Sequence, residues 1–261
     1  MIVLKTSQEI EKIRKSCQLV AKYLQLVIDI IETEGVGFTT WELEEIATIF
    51  VKDNGAIAAF KGYKGFPYSV CASKNSEIVH GMPSKEPLKE GDILSVDFGI
   101  LLDGYYGDSA ITVPVGKVSK ETELLIKTGQ ECLYKSINKL RDGVRLNQIS
   151  NTVYTHAKSH GYDVVRKFVG HGVGKELHEY PPIPNFAKKP DEGIILKKGS
   201  VLAIEPMIMA GSSELSIDQN GWTARTIDNS LSVHWEHTVA ITDKGPDILS
   251  LREDEEWDSS L

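Results

Sequence analysis

Cysteine is scarce in this chain of 261 residues: Cys17, Cys71 and Cys132 are the three present, far apart and in no CxxC pair. That count and spacing speak against a disulfide framework or a thiolate zinc site, and they fit a reducing compartment. Long apolar runs are missing too. None approaches the roughly 18 residues of a membrane span, and Lys5 and Glu9 interrupt the N-terminus before a signal-peptide core could form. A soluble, cytoplasmic protein that engages no membrane is the expectation. Positive charge is in deficit, with 29 Lys and Arg against 37 Asp and Glu and a formal charge of -8. A global basic footprint for nucleic acid is therefore absent. The basic spots at Lys188, Lys189, Lys197 and Lys198 read as solvated loop charge.

What is present is an ordinary globular composition, 41% hydrophobic and 25% charged. The length suits one compact unit, and the order of elements suggests that it is built from two similar halves. Thr6 and Glu9 have capping-box spacing. Apolar residues from Ile10 to Ile31 then recur at helical intervals and stop before Gly35. Thr39 to Glu42 can cap a second helix, which Gly55 ends. A stretch rich in turn residues follows, from Ala58 to Pro83, and reads as loop and short strand. Ile93 to Leu102 and Tyr105 to Val113 read as two strands joined at Asp103-Gly104, a strong hairpin signal. Helices are expected again near 120–140 and 146–160, and strand-like runs at 201–210, 223–229 and 231–242. Helix, helix, strands thus occurs twice, which favours an α+β fold with chemistry between two related halves. The acidic end, 252–261, reads as a poorly ordered tail, leaving 1–251 as a single domain.

The hairpin geometry follows from its turn. Leu102 pairs with Tyr105, Gly99 with Asp108, and Asp97 with Ala110, so Asp97 and Asp108 are diagonal neighbours on one face, about 7 to 8 Å apart at the backbone. Two carboxylates that close can share cations, although a plain polar strand face would have the same spacing. In 168–181, His171 and His178 stand among glycines in a run that reads as a Gly-rich, Pro-terminated loop. Such a loop suits close backbone approach to a ligand. Glu205 and Glu236 each lie in an apolar strand run; either alone would also fit a salt-bridged residue.

The order Asp, Asp, His, Glu, Glu, with its flanking residues, resembles the type I methionine aminopeptidases of the pita-bread fold over essentially the whole chain. The resemblance rests on Val96-Asp97-Phe98, Gly107-Asp108, Gly170-His171-Gly172-Val173-Gly174, His178-Glu179, Ile204-Glu205-Pro206 and Glu236-His237-Thr238. It implies two pseudo-symmetric halves with an antiparallel sheet flanked by helices. It also implies two divalent ions, Co, Mn, Fe or Zn, on Asp97, Asp108, His171, Glu205 and Glu236, with Asp108 and Glu236 bridging and a hydroxide between the ions as nucleophile. Glu205 would also accept the proton of the attacking water, His178 would stabilise the tetrahedral intermediate, and His80 would contact the scissile amide. Phe60, Tyr63, Phe66, Cys71 and Trp222, together with His80 and His178, would bind substrate, with Leu177 beside them. Phe60 and Leu177 stand where relatives often carry other residues. The expected partners are N-termini of nascent polypeptides, with transient ribosome contact, and the protein is expected to be a monomer that removes initiator methionine before a small second residue. Two rival readings are a proline-directed aminopeptidase or dipeptidase of the same fold and a metal-free binding protein. A type II enzyme would need a helical insertion for which the length leaves little room.

Overall fold

The computed structural model describes residues 1–257. Helix α1 (Ser7–Glu34) begins at Thr6 with both reciprocal bonds of the capping box, and α2 (Thr40–Asp53) begins the same way at Thr39 and Glu42. These bonds satisfy backbone donors that the first helical turn leaves without partners. The first half continues with β1 (Ile57–Ala58), β2 (Val70–Lys74), β3 (Glu77–Val79), β4 (Ile93–Leu102) and β5 (Tyr105–Pro114). Asp103 and Gly104 join β4 to β5 with φ of 50° and 79°. Positive φ at both central residues matches the twist of the flanking strands, and glycine adopts it without steric cost. The register is the one expected, with Leu102 opposite Tyr105, Gly99 opposite Asp108 and Asp97 opposite Ala110.

The second half repeats the order. Helices α3 (Lys120–Ile137) and α4 (Leu146–Ser159) precede β6 (Asp163–Val164), β7 (Val169–Gly172), β8 (Glu179–Pro184), β9 (Val201–Ile204) and β10 (Met207–Met209). The remaining strands are β11 (Leu215–Ile217), β12 (Ala224–Thr226), β13 (Ser232–His234), β14 (Glu236–Thr242) and β15 (Gly245–Ile248). The main sheet runs β1-β4-β5-β14-β9-β7-β8, with β2 also on β4 and β15 also on β14. All its pairings are antiparallel. It crosses from one half to the other at β5 and β14, where Glu236 lies opposite Ala110.

Alternation divides the sheet into two faces. Val96, Phe98, Ile100, Ile111, Leu202, Ile204, Val239 and Ile241 are buried in one core with residues of all four helices. Phe98 lies against Tyr23 of α1 with ring centroids 4.0 Å apart. Burying a side chain of this size contributes about 1.5 to 3 kcal/mol. The opposite face carries Asp97, Asp108 and Glu236.

Three expectations need correction. The run 168–181 is not all loop: Val169–Gly172 is a strand between β9 and β8. A Cβ at Gly170 would lie 2.5 Å from the Ala203 carbonyl oxygen, and one at Gly172 would lie 2.7 Å from that of Tyr180, so these glycines permit close strand approach and not loop flexibility. The runs 201–210 and 231–242 are each broken, at Glu205-Pro206, where the chain leaves the main sheet for a smaller one, β13-β10-β6, and at Trp235, where it returns. Proline has no N–H to continue a ladder. Finally, the described part of the acidic end packs on the body. The His237 ring and the Tyr134 hydroxyl both bond to Glu255, which also pairs with buried Arg252, while Trp257 donates to Asn138 Oδ1 at 2.9 Å. Specific partners on α3 and β14 outweigh the solvation that composition favours; 258–261 lie outside the described residues. The four basic loop lysines are exposed, as expected. Among the described residues no helix is long and apolar enough to cross a membrane.

Candidate active site

Five neighbouring strands each bring one side chain to the face that the helices leave free. In sheet order these are Asp97 on β4, Asp108 on β5, Glu236 on β14, Glu205 directly after β9, and His171 on β7. The pairing explains the convergence. Asp97, Ala110 and Glu236 form one row across three strands, and Thr238, Ala203 and His171 form the adjacent row. Opposed residues share a face, and so do residues two apart, which puts all five on one side.

Ligand atoms of Asp108, His171 and Glu236 lie within 4.8 Å of one another. His171 Nε2 is 3.8 Å from Asp108 Oδ2 and 3.7 Å from Glu205 Oε1. Its Nδ1 donates to the Gly172 carbonyl at 2.9 Å, which leaves Nε2 as the lone-pair nitrogen facing the carboxylates. The backbone of this row is braced as well. Thr238 Oγ1 donates to the Asp108 carbonyl at 2.8 Å, and Ser109 Oγ donates to that of Glu236 at 2.5 Å.

The cluster is electrostatically frustrated as it stands. Burial pushes the carboxyl groups of Asp97 and Glu205 up to about 7. Burial, and then the charges of neighbouring carboxylates, raise Asp108 and Glu236 well above the usual carboxylate range. Asp97 Oδ1, Asp108 Oδ1 and Glu236 Oε1 are buried without a hydrogen-bond partner among the described residues. Buried carboxylate oxygens left unpaired cost free energy unless a cation or a proton compensates. Four carboxylates and one imidazole make an oxygen-rich donor set that fits divalent first-row metals without selecting one.

A cavity of about 150 Å³ opens on this cluster. Phe60, Phe66, Cys71 and Leu177 are buried in one apolar group, with Tyr63 and Trp222 packed against it, and all six line the cavity. His80 and His178 complete the wall. His178 stacks on Tyr63 at 5.2 Å and lies 4.2 Å from the His171 ring. Burial, followed by the neighbouring positive charges, lowers His178 to about 3 and His80 to about 4, so both rings are neutral near pH 7. His80 has a left-handed φ of 59°, a costly conformation for a non-glycine residue.

Every residue expected at the site from the sequence thus lines one cavity. Two more stand there that sequence reasoning assigned no role. Lys64 lines the cavity between Tyr63 and Phe66. His234 is fully enclosed, with Nε2 at 3.6 Å from Glu205 Oε2 and without a hydrogen-bond partner among the described residues. The available signal was its place two residues before Glu236.

Residues 11–243 match the profile of Metallopeptidase family M24. The chain belongs to that family. Among the relatives of this M24 peptidase is the methionine aminopeptidase of Clostridium acetobutylicum, 45% identical over 254 residues that cover 97% of this chain and 100% of the relative. Methionine aminopeptidase 1 of Bacillus subtilis is 44% identical over 250 residues, covering 96% and 99%. The crystal structure of the methionine aminopeptidase of Thermotoga maritima superimposes with a TM-score of 0.92 at 42% identity, over 97% of this chain and 100% of that one. The M24 chain described here therefore has the pita-bread α+β fold and is a metal-dependent hydrolase.

Proposed function

We propose that this M24 peptidase removes the initiator methionine from polypeptides whose second residue is small. The observation that carries the reading is a single cavity with an unpaired acidic cluster at its base and an apolar aromatic wall beside it. Near-full-length similarity to methionine aminopeptidases supports it over the proline-directed and metal-free alternatives. In this reading residues 1–251 act as one catalytic unit, a cytoplasmic monomer meeting nascent chains at the ribosome.

Asp97, Asp108, His171, Glu205 and Glu236 would hold two divalent ions, and Mn, Fe, Co and Zn all suit these donors. When bound, such ions supply Lewis acidity and lower the pKa of water toward neutrality. Glu205 accepts the proton of the attacking water. His178, neutral near pH 7, donates an N–H to the oxyanion as the carbonyl becomes tetrahedral, the moment at which a positioned donor contributes most. His80 bounds the site where the scissile amide and the second residue lie. Phe60, Tyr63, Phe66, Cys71, Leu177 and Trp222 enclose the methionine side chain, whose sulfur makes favourable contacts with aromatic rings.

The test is a comparison of kcat/KM across peptides with defined metal present. Met-Ala and Met-Gly peptides should be cleaved well, and Met-Lys, Met-Phe and Met-Leu peptides poorly. Slow cleavage after norleucine or leucine is compatible, as an apolar pocket discriminates a methylene by only about 1 to 3 kcal/mol. Rapid release of residues preceding proline, with no preference for methionine, would overturn the reading.

A further inference from the structure

A second group of metal-ligating side chains stands on the paired helices of the second half, away from the cavity. Glu131 lies on α3, while His156 lies on the last turn of α4 and His160 caps that helix. One ligand atom from each of the three falls within 4.8 Å of the others. His156 and His160 are four residues apart, so they share a helix face. Their ring centroids are 4.6 Å apart. His156 Nε2 lies 2.7 Å from Glu131 Oε2 across the gap between the helices.

The arrangement is more than three neighbouring side chains. His160 Nδ1 donates to the His156 carbonyl at 3.0 Å, the backbone anchor that fixes a metal-binding imidazole in the tautomer with its Nε2 lone pair available. Ser159 Oγ, 3.2 Å from the same nitrogen, supports that orientation. The Glu131 carboxylate supplies the anionic donor, and Lys127, at 3.9 Å, is the cation that shares it. Burial lowers the affinity of His156 for a proton, which favours the neutral, ligating form.

We propose that Glu131, His156 and His160 form a peripheral zinc site that staples α3 to α4. Two imidazoles and a carboxylate are a donor set that zinc takes with three protein ligands and water. It differs in kind from the carboxylate-rich cluster in the cavity, so the two sites differ in the metals they prefer. On zinc binding, the His156 proton moves from Nε2 to Nδ1 and the ion takes the place of the Glu131–His156 hydrogen bond; no redox change is involved. The staple bears on the catalytic half because α3 packs against β5, β9, β13 and β14.

Full-length protein loaded with Mn2+ tests this by titration with Zn2+, followed by gel filtration and counting of both metals by mass spectrometry. The wild type should carry one ion more per chain than His160→Asn or Glu131→Gln, and zinc-edge anomalous scattering should place that ion between α3 and α4. Zinc should also raise the thermal midpoint of the wild type more than that of either variant. Peptide hydrolysis measured before zinc is added should be the same in all three proteins, because none of these residues touches the cavity. Equal metal totals in wild type and variants, or no zinc peak between the helices, would overturn the proposal.

Discussion

Asp108 and Glu236 are diagonal neighbours on two paired strands, each with an oxygen that finds no partner among the described residues. Asp108→Asn or Glu236→Gln removes the negative charge and keeps the shape. Each should weaken metal binding and lower turnover by at least about 100-fold, since even outer partners of metal ligands are worth about 10- to 100-fold. Metal content after dialysis and kcat are the measurements; full activity in rigorously metal-free protein would sink the mechanism. His178 lines the same cavity and has a different role in the proposed mechanism. His178→Ala should lower kcat by about 100- to 1,000-fold, the usual loss of an oxyanion donor, while metal content stays that of the wild type. Equal loss of metal would make His178 a ligand. Asp97 and Asp108 were legible as a pair because one turn sets the whole register of their hairpin. Glu205 and Glu236 were not, because each alone looks like an ordinary salt-bridging residue.

At the scale of elements, the helices and the hairpin follow local rules, and the sheet does not. Capping boxes at Thr6 and Thr39 and the Asp103-Gly104 turn are short-range chemistry, visible in consecutive residues. The strand breaks at Pro206 and Trp235 arise because the chain must leave one sheet for another, which depends on distant partners. The segment after Ser250 makes the same point. Burial alone would raise the Glu255 carboxyl, but His237, Arg252 and the Tyr134 hydroxyl together hold it down to about 2. A carboxyl depressed on folding stabilises the protein above its ordinary value near 4.5, and that contribution is lost as pH falls through about 2. Glu255→Gln leaves buried Arg252 without its countercharge and should cost on the order of 3 kcal/mol near pH 7. Urea unfolding should show the gap between wild type and variant closing as pH falls from about 4.5 to about 2. A constant gap would mean that the charge is not what matters.

For the whole molecule, the acidic face joins the two halves, and on the proposed assignment metal binding there is linked to folding. In metal-free protein, Asp97 and Glu205 titrate near 7, above their ordinary values of 3.8 and 4.5. The folded state therefore holds more protons than the unfolded chain between those limits, and metal-free stability should fall as pH rises through them. Metal binding needs deprotonated ligands and strengthens in the same direction. Thermal unfolding with and without chelator should give a small metal-induced shift at about pH 5.5 and a larger one at about pH 8. Free metal at 100 times its Kd corresponds to about 2.7 kcal/mol. Equal shifts at both pH values would argue against these carboxylates as the metal site. By itself the sequence determined the four helices and the hairpin register, because periodicity, caps and turns act over a few positions, and its motif order singled out the candidate site residues. Only the tertiary structure decided that five adjacent strands deliver those residues to one face and that His234 stands beside Glu205. It alone also showed that the described part of the acidic end, 252–257, docks on α3 and β14. Each of these depends on pairing between segments far apart in the chain, and local periodicity carries no information about such pairing.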